Sequence, residues 1–314
     1  MIRDWQNFLV DHVSEWGVSG SGEWHFLLHN NYHPHCSNIN VLWFEGKSKF
    51  PAVVTKLYRE PKILRREFGN LKRAHGLAPA WVPRPLHFGQ QGPFWSLWMQ
   101  GLPGARYAVQ TKHSPATLRS MIDMVAALHS EVAKTTAVPA PDRYARLVST
   151  PLRAVVEFAE SAKVKEGCAK LAAAVPAEWI AAMPAIPQHG DLFCDNLLHH
   201  QGQWHVIDWE SFGTIDLPFY DALTLLLSLA GATEKGPEAW DATLVQQIPE
   251  LVQRYANALG LQATAVRQML PLTLVNWFYL QWCDGRQEFS QRMYGTLDRY
   301  FSSPHAWEKA FLGK

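Results

Sequence analysis

Several things this chain lacks narrow its class before any motif is read. Its four cysteines, Cys36, Cys168, Cys194 and Cys283, stand far apart with no paired spacing. That argues against a disulfide framework and favours reduced thiols in a cytoplasmic setting. The longest apolar stretch, residues 222–232, is too short to cross a bilayer. The opening Met1-Ile2-Arg3-Asp4-Trp5 places an acid where a signal peptide would carry its positive and apolar regions. A soluble cytoplasmic protein with no membrane partner is expected. Net charge is nearly absent too, 29 basic against 28 acidic residues, so phosphate-backbone binding is not its main task and no nucleic-acid partner is expected. No internal repeat or low-complexity linker appears.

What is present is a globular chain of 314 residues, 47% apolar and 18% charged, long enough for a large core and two subdomains. Residues 1–100 carry 11 basic and 7 acidic side chains, and residues 101–314 carry 18 and 21. The most informative segment runs His189-Gly190-Asp191-Leu192-Phe193-Cys194-Asp195-Asn196, two short apolar runs about Gln201-Gly202-Gln203, and Ile207-Asp208-Trp209-Glu210. Apolar runs about a three-residue glycine-containing link predict a β-hairpin. With Gly202 at its centre, Asn196 and Asp208 fall at mirror positions six residues away, and Asp191 waits upstream. Two hard oxygen ligands with a separate carboxylate suit a site that holds Mg²⁺ and activates a hydroxyl. A plain turn-rich loop, or a metallohydrolase using His189, Asp191 and Asp208, would also place such residues here.

This pattern resembles the catalytic segment of the aminoglycoside phosphotransferase/choline kinase-like family, which shares the protein-kinase fold. The family's His-Gly-Asp-x-x-x-x-Asn matches His189, Gly190, Asp191 and Asn196, and its Ile-Asp-Trp-Glu matches Ile207 to Glu210. The resemblance implies an α+β bilobal protein-kinase-like fold, with a small β-rich N-lobe (1–100) and a larger, mostly helical C-lobe (101–314) meeting at a hinge near 101–104. It implies Mg²⁺ held by Asn196 and Asp208, ATP or GTP as phosphoryl donor, and Asp191 as catalytic base. Asp221 resembles a family aspartate that braces the catalytic loop, although an acid at a helix start is reason enough for it in any fold.

The amino-terminal half supports the same reading. Residues 52–58 form a β-branched strand with Lys56 inside it. Pro61 then opens a helix whose inward face carries Leu64, Phe68, Leu71 and His75, with Glu67 among them. A carboxylate on a packed face needs a cation, and Lys56 is the one the preceding strand offers. In a kinase-like fold that pair steers the lysine onto the nucleotide phosphates. Residues 94–100 read as a buried strand, and the resemblance implies that backbone groups near its end, at Trp98, Met99 and Gly101, meet the purine.

One departure from the family pattern is the phosphate-covering turn. His29-Asn30-Asn31-Tyr32-His33-Pro34-His35-Cys36-Ser37-Asn38 contains no glycine, leaving backbone amides, Ser37 or Asn38 to meet phosphates there. The His33-Pro34-His35-Cys36 cluster lacks the second pair of ligands that a zinc site needs.

Late in the chain, Trp277, Phe278, Tyr279, Trp282 and Asp284 offer either core packing or a wall for a cationic or sugar-like acceptor. The function implied is a small-molecule kinase that phosphorylates a hydroxylated acceptor: an aminoglycoside, an amino alcohol or a sugar. A catalytically idle nucleotide-binding regulator of the same fold is the alternative. A protein kinase fits less well, since there is no Asp-Phe-Gly and only thirteen residues separate Asp208 from Asp221.

Overall fold

A computed structural model describes residues 2–18, 22–30, 39–107, 113–134 and 140–313. The chain forms two compact units: residues 1–107 with 196–212, and residues 108–195 with 213–314. The first crossing lies a few residues beyond the 101–104 hinge expected from sequence. The hairpin segment then returns to the first unit, because its strand pairs with one that precedes the crossing.

In the first unit, α1 (Ile2–His12) precedes an antiparallel sheet of β1 (Trp24–Asn30), β2 (Ile39–Glu45), β3 (Val53–Tyr58), β4 (Pro85–Gln91) and β5 (Phe94–Gln100). The strand order is β1-β2-β3-β5-β4, and α2 (Pro61–Leu77) connects β3 to β4. Side chains alternate across β3. Val53, Thr55 and Leu57 are buried, and Lys56 points to the other face. One face packs Val53, Leu57, Val41, Trp43 and Trp98 against Trp5 and Leu9 of α1. On α2 the buried residues are Leu64, Glu67, Leu71 and Ala74, a helical stripe three and four residues apart. Glu67 is therefore held inside by the same periodicity that buries its leucine neighbours.

The short strands β6 (Ala105–Arg106), β7 (Leu197–His200) and β8 (Gln203–Val206) form a second sheet. Leu197 opposes Val206 and His200 opposes Gln203. The link is thus the two residues Gln201 and Gly202, both at positive φ, +48° and +80°, and not the three-residue link expected. A two-residue turn needs left-handed backbone at both positions, which suits Gly202. The shorter turn also corrects the mirror relation. Asn196 sits opposite Ile207, whose N–H it accepts at 3.0 Å, and Asp208 lies one residue past that pair.

The second unit is helical, comprising α3 (Pro115–Ala133), α4 (Thr150–Phe158), α5 (Ala162–Ala174), α6 (Ala177–Ala182), α7 (Tyr220–Ala230), α8 (Ala242–Ala258), α9 (Val266–Cys283), α10 (Gln287–Ser302) and α11 (Pro304–Leu312). Helix α9 is buried along most of its length and packs against α4, α7 and α10. Arg143, 3% exposed, donates to the carbonyls of Ile180, Met183, Pro184 and Asp216 and to Asp216 Oδ1. Its planar fork thereby fixes the chain entering and leaving the segment that bears Asp191. A small β-rich unit followed by a larger helical one is the α+β, protein-kinase-like architecture that the family resemblance implies.

Candidate active site

In the first unit the packing brings Lys56, Glu67 and Asp208 together. Lys56 Nζ donates to Glu67 Oε1 at 2.5 Å and to Asp208 Oδ1 at 2.6 Å. Burial opposes the lysine's charge, but the carboxylates of Asp208 and Glu67 hold its ammonium well above the usual lysine range. Glu67 must share that cation. Burial, opposed by Lys56, pushes it up to about 7.

Asp208 owes its place to backbone geometry. It adopts left-handed φ/ψ of 71° and 60°, which an aspartate tolerates better than most residues. The short 3₁₀ turn after it (Trp209–Ser211) is pinned on both sides. Trp209 Nε1 donates to Val206 O at 2.8 Å. From α2, Asn70 donates to Glu210 O at 2.8 Å and Arg73 to Phe212 O at 3.0 Å, with the Arg73 guanidinium 4.8 Å from the Phe212 ring. The helix carrying Glu67 thus also fixes the turn that follows Asp208. Sequence reasoning left Asn70 and Arg73 unmarked, as two polar residues among many on α2.

Oxygens of Glu67, Asp208 and Glu210 lie within 4.8 Å of one another. The donors are all carboxylates, the chemistry that a hard divalent cation such as Mg²⁺ selects. One ammonium among three acids leaves two formal negative charges. Glu67 Oε2, buried, has no hydrogen-bond partner among the described residues. The residues fit such an ion. Glu210 joins this cluster although only its place in a motif marked it in the sequence. Asn196, the other ligand expected, is half-buried in the same unit, in the short 3₁₀ turn just before β7.

Trp98 and Met99 lie in the buried strand β5. The Trp98 indole stacks 6.0 Å from Trp43 and donates to Ser96 Oγ, so its side chain belongs to the core. The Gly101 N–H is taken by Ala52 O at 2.9 Å. A Cβ at Gly101 would meet Pro51 O at 1.9 Å, so the chain can pass here only as glycine. The glycine-free turn lies largely outside the described residues. Residues 31–38, with His33, Pro34, His35, Cys36, Ser37 and Asn38, are not among them.

The second unit holds the loop of Asp191. Asp221, fully buried at the start of α7, accepts the N–H groups of His189 at 2.6 Å and Gly190 at 3.0 Å. His129 Nε2 donates to the same carboxylate at 3.0 Å, and His129 Nδ1 lies 2.7 Å from the Tyr255 hydroxyl. Burial alone would raise the Asp221 carboxyl. The hydrogen bond and charge of His129, the charge of His189 and the Gly190 N–H outweigh it and hold the group below the usual range. Asp221 therefore does bind the backbone of the loop that bears Asp191, and helix-end electrostatics are not its whole role. His129 and Tyr255 escaped sequence reasoning. The available signal was a histidine immediately after Leu128, at the end of the apolar face of α3.

Asp191 itself is half-buried, and its N–H faces His189 Nδ1 at 3.3 Å. Two residues on, Phe193 packs 5.0 Å from the Trp277 ring of α9. Trp277 and Phe278 are buried, whereas Trp282 is 42% exposed and Asp284 is exposed. No helix among the described residues is long and apolar enough to cross a membrane.

Comparison with known proteins bears on the family and the fold. A family model described as the phosphotransferase enzyme family matches residues 38–269. Choline kinase from Cryptosporidium parvum Iowa II is structurally similar, with a TM-score of 0.68 at 13% identity, covering 97% of this chain and 96% of that one. Plasmodium vivax ethanolamine kinase gives 0.61 at 12% identity, over 93% and 86% of the two chains. A thermostable mutant of the aminoglycoside phosphotransferase APH(4)-Ia, in a ternary complex with ADP and hygromycin B, gives 0.56 at 16% identity, over 95% and 97%. At these identities the likeness establishes the fold. No curated protein matches by sequence.

Proposed function

This chain belongs to the phosphotransferase enzyme family, and on that premise we propose that it transfers the γ-phosphoryl group of ATP or GTP to a hydroxyl of a small molecule. The observation carrying the reading is the Lys56–Glu67–Asp208 cluster, in which a strand lysine is held by a helix glutamate against a carboxylate that follows a β-hairpin. Lys56 would neutralise phosphate charge, with Glu67 fixing its direction. Asp208 and Asn196 would hold Mg²⁺, joined by Glu210. Bound there, the ion would supply the positive charge that offsets the phosphates. Segment 98–101 would meet the purine through groups other than the Gly101 amide, which Ala52 already takes.

Asp191 would accept the proton of the acceptor hydroxyl as that oxygen bonds to phosphorus and the bond to the nucleoside diphosphate breaks. Its loop is held by Asp221 in a way that does not depend on the Asp191 carboxylate, as a base that changes protonation requires. Phe193, half-buried and backed by the buried Trp277, offers an aromatic edge beside it, suited to a small cationic or sugar-like acceptor. The solved choline, ethanolamine and aminoglycoside kinases of this fold are consistent with that class. Lys56, Asp191, Asn196 and Asp208 are all present, which favours an active kinase over an idle nucleotide-binding regulator.

The test is a transfer screen with γ-labelled ATP and GTP, with choline, ethanolamine, aminoglycosides and sugars as acceptors. Label should move to one chemical class in a magnesium-dependent reaction. Absence of both nucleotide binding and transfer across the panel would defeat the proposal.

A further inference from the structure

Lys56 has a second consequence, and it rests on the function just proposed. Its ammonium sits 2.5 Å from Glu67 Oε1 and 2.6 Å from Asp208 Oδ1, between two of the carboxylates whose oxygens cluster within 4.8 Å. A small divalent cation contacts carboxylate oxygens at about 2.0–2.1 Å. An ion bridging those two oxygens would stand almost where the lysine nitrogen already stands. We propose that Lys56 is the resident cation of this carboxylate cluster and competes with the metal for Asp208, so that the site admits a divalent ion well only when a phosphate group draws the lysine away.

The surroundings support displacement over coexistence. Lys56 is anchored on a central strand of the sheet, with only 14% of its side chain exposed, so nearby room for the ammonium is limited. Glu67 is held on the buried face of α2 and cannot follow an ion outward. Its Oε2, without a hydrogen-bond partner among the described residues, is a ligand atom left waiting when Nζ occupies Oε1. Two cations a few ångströms apart in a partly buried site repel strongly, since the medium screens them far less than water does. An anionic phosphate meets both needs. It gives the ammonium a new partner and leaves Asp208 Oδ1 open. Lys56 would thereby couple metal entry to nucleotide entry, and the free protein would not fill its site with the metal alone.

The experiment measures binding of Mn²⁺ alone, without nucleotide, from the free-ion electron paramagnetic resonance signal. The wild type, Lys56→Met, Lys56→Gln and Lys56→Arg are compared, each checked for folding by circular dichroism. Removing the charge should tighten Mn²⁺ binding about tenfold or more. The arginine variant should bind as weakly as wild type. Lys56→Gln, which keeps a donor for Glu67, carries the comparison if the methionine variant does not fold. Equal or weaker Mn²⁺ binding in the folded uncharged variant would overturn the competition. Magnesium-dependent binding of a non-hydrolysable ATP analogue to the wild type is measured in parallel. Its absence would count against the kinase assignment, while the Mn²⁺ comparison alone decides the competition.

Discussion

Asp191→Asn should leave magnesium nucleotide bound with near wild-type affinity and lower the transfer rate on the order of 10²–10⁴-fold, the usual contribution of a positioned general base. The amide has the shape of the carboxylate but cannot take the acceptor's proton. The His189 and Gly190 amides are held by Asp221, through bonds that do not involve the Asp191 carboxylate. The substitution should therefore separate chemistry from binding and from folding. Steady-state transfer with a calorimetric nucleotide titration reads both. Unimpaired transfer would remove Asp191 from the role of base.

The second large effect is expected at Asp221. Replacement by alanine strips three hydrogen bonds at once, from the His189 and Gly190 amides and from His129, all in fully buried surroundings. Breaking a buried ionic network from one side typically costs about 3–5 kcal/mol, and the catalytic loop would lose its anchor. Both stability and transfer should fall, whereas Asp191→Asn affects transfer alone. The pH dependence follows from the depressed carboxyl of Asp221. A native carboxyl held below its unfolded value contributes stability that is fully present above the unfolded value and is lost as pH falls through the native one. Wild type should thus lose stability steeply on acidification from about pH 4. Asp221→Asn should start less stable at neutral pH and show a shallower acid loss. Urea unfolding from neutral to acidic pH measures both slopes, and identical slopes would show that Asp221 is not the titrating brace.

Much of this was legible in the chain because it depends on local spacing. Glu67 announces itself as an acid on a leucine stripe, and burial of Leu64 and Leu71 carries it inside with no choice of partner but a nearby cation. Lys56 is readable as the single charge in a β-branched strand whose alternation sets it opposite Val53 and Leu57. The hairpin was legible as well, but its register was not. Gln201 accepts left-handed backbone beside Gly202, which shortens the turn by one residue and moves Asp208 off the mirror position of Asn196. Glutamine gives no sequence signal for that conformation.

The brace on the catalytic loop was only half visible. Asp221 could be matched to a motif, but its partner His129 lies 92 residues away in the chain, and Tyr255, which meets His129, lies 126 residues from it. Their meeting is a product of tertiary packing that no local pattern encodes. Trp98 was readable as a strand residue near a nucleotide segment. That its ring belongs to the Trp43 stack follows from which face of β5 meets α1, and this depends on the whole sheet.

The measurement that bears most directly on the account is calorimetric titration of a non-hydrolysable ATP analogue, with and without Mg²⁺, into wild type and Asp208→Asn. The Lys56–Glu67–Asp208 cluster as a phosphate and metal site predicts binding that needs the ion and weakens about tenfold or more when the Asp208 charge is removed. Nucleotide binding indifferent to both magnesium and Asp208 would contradict it.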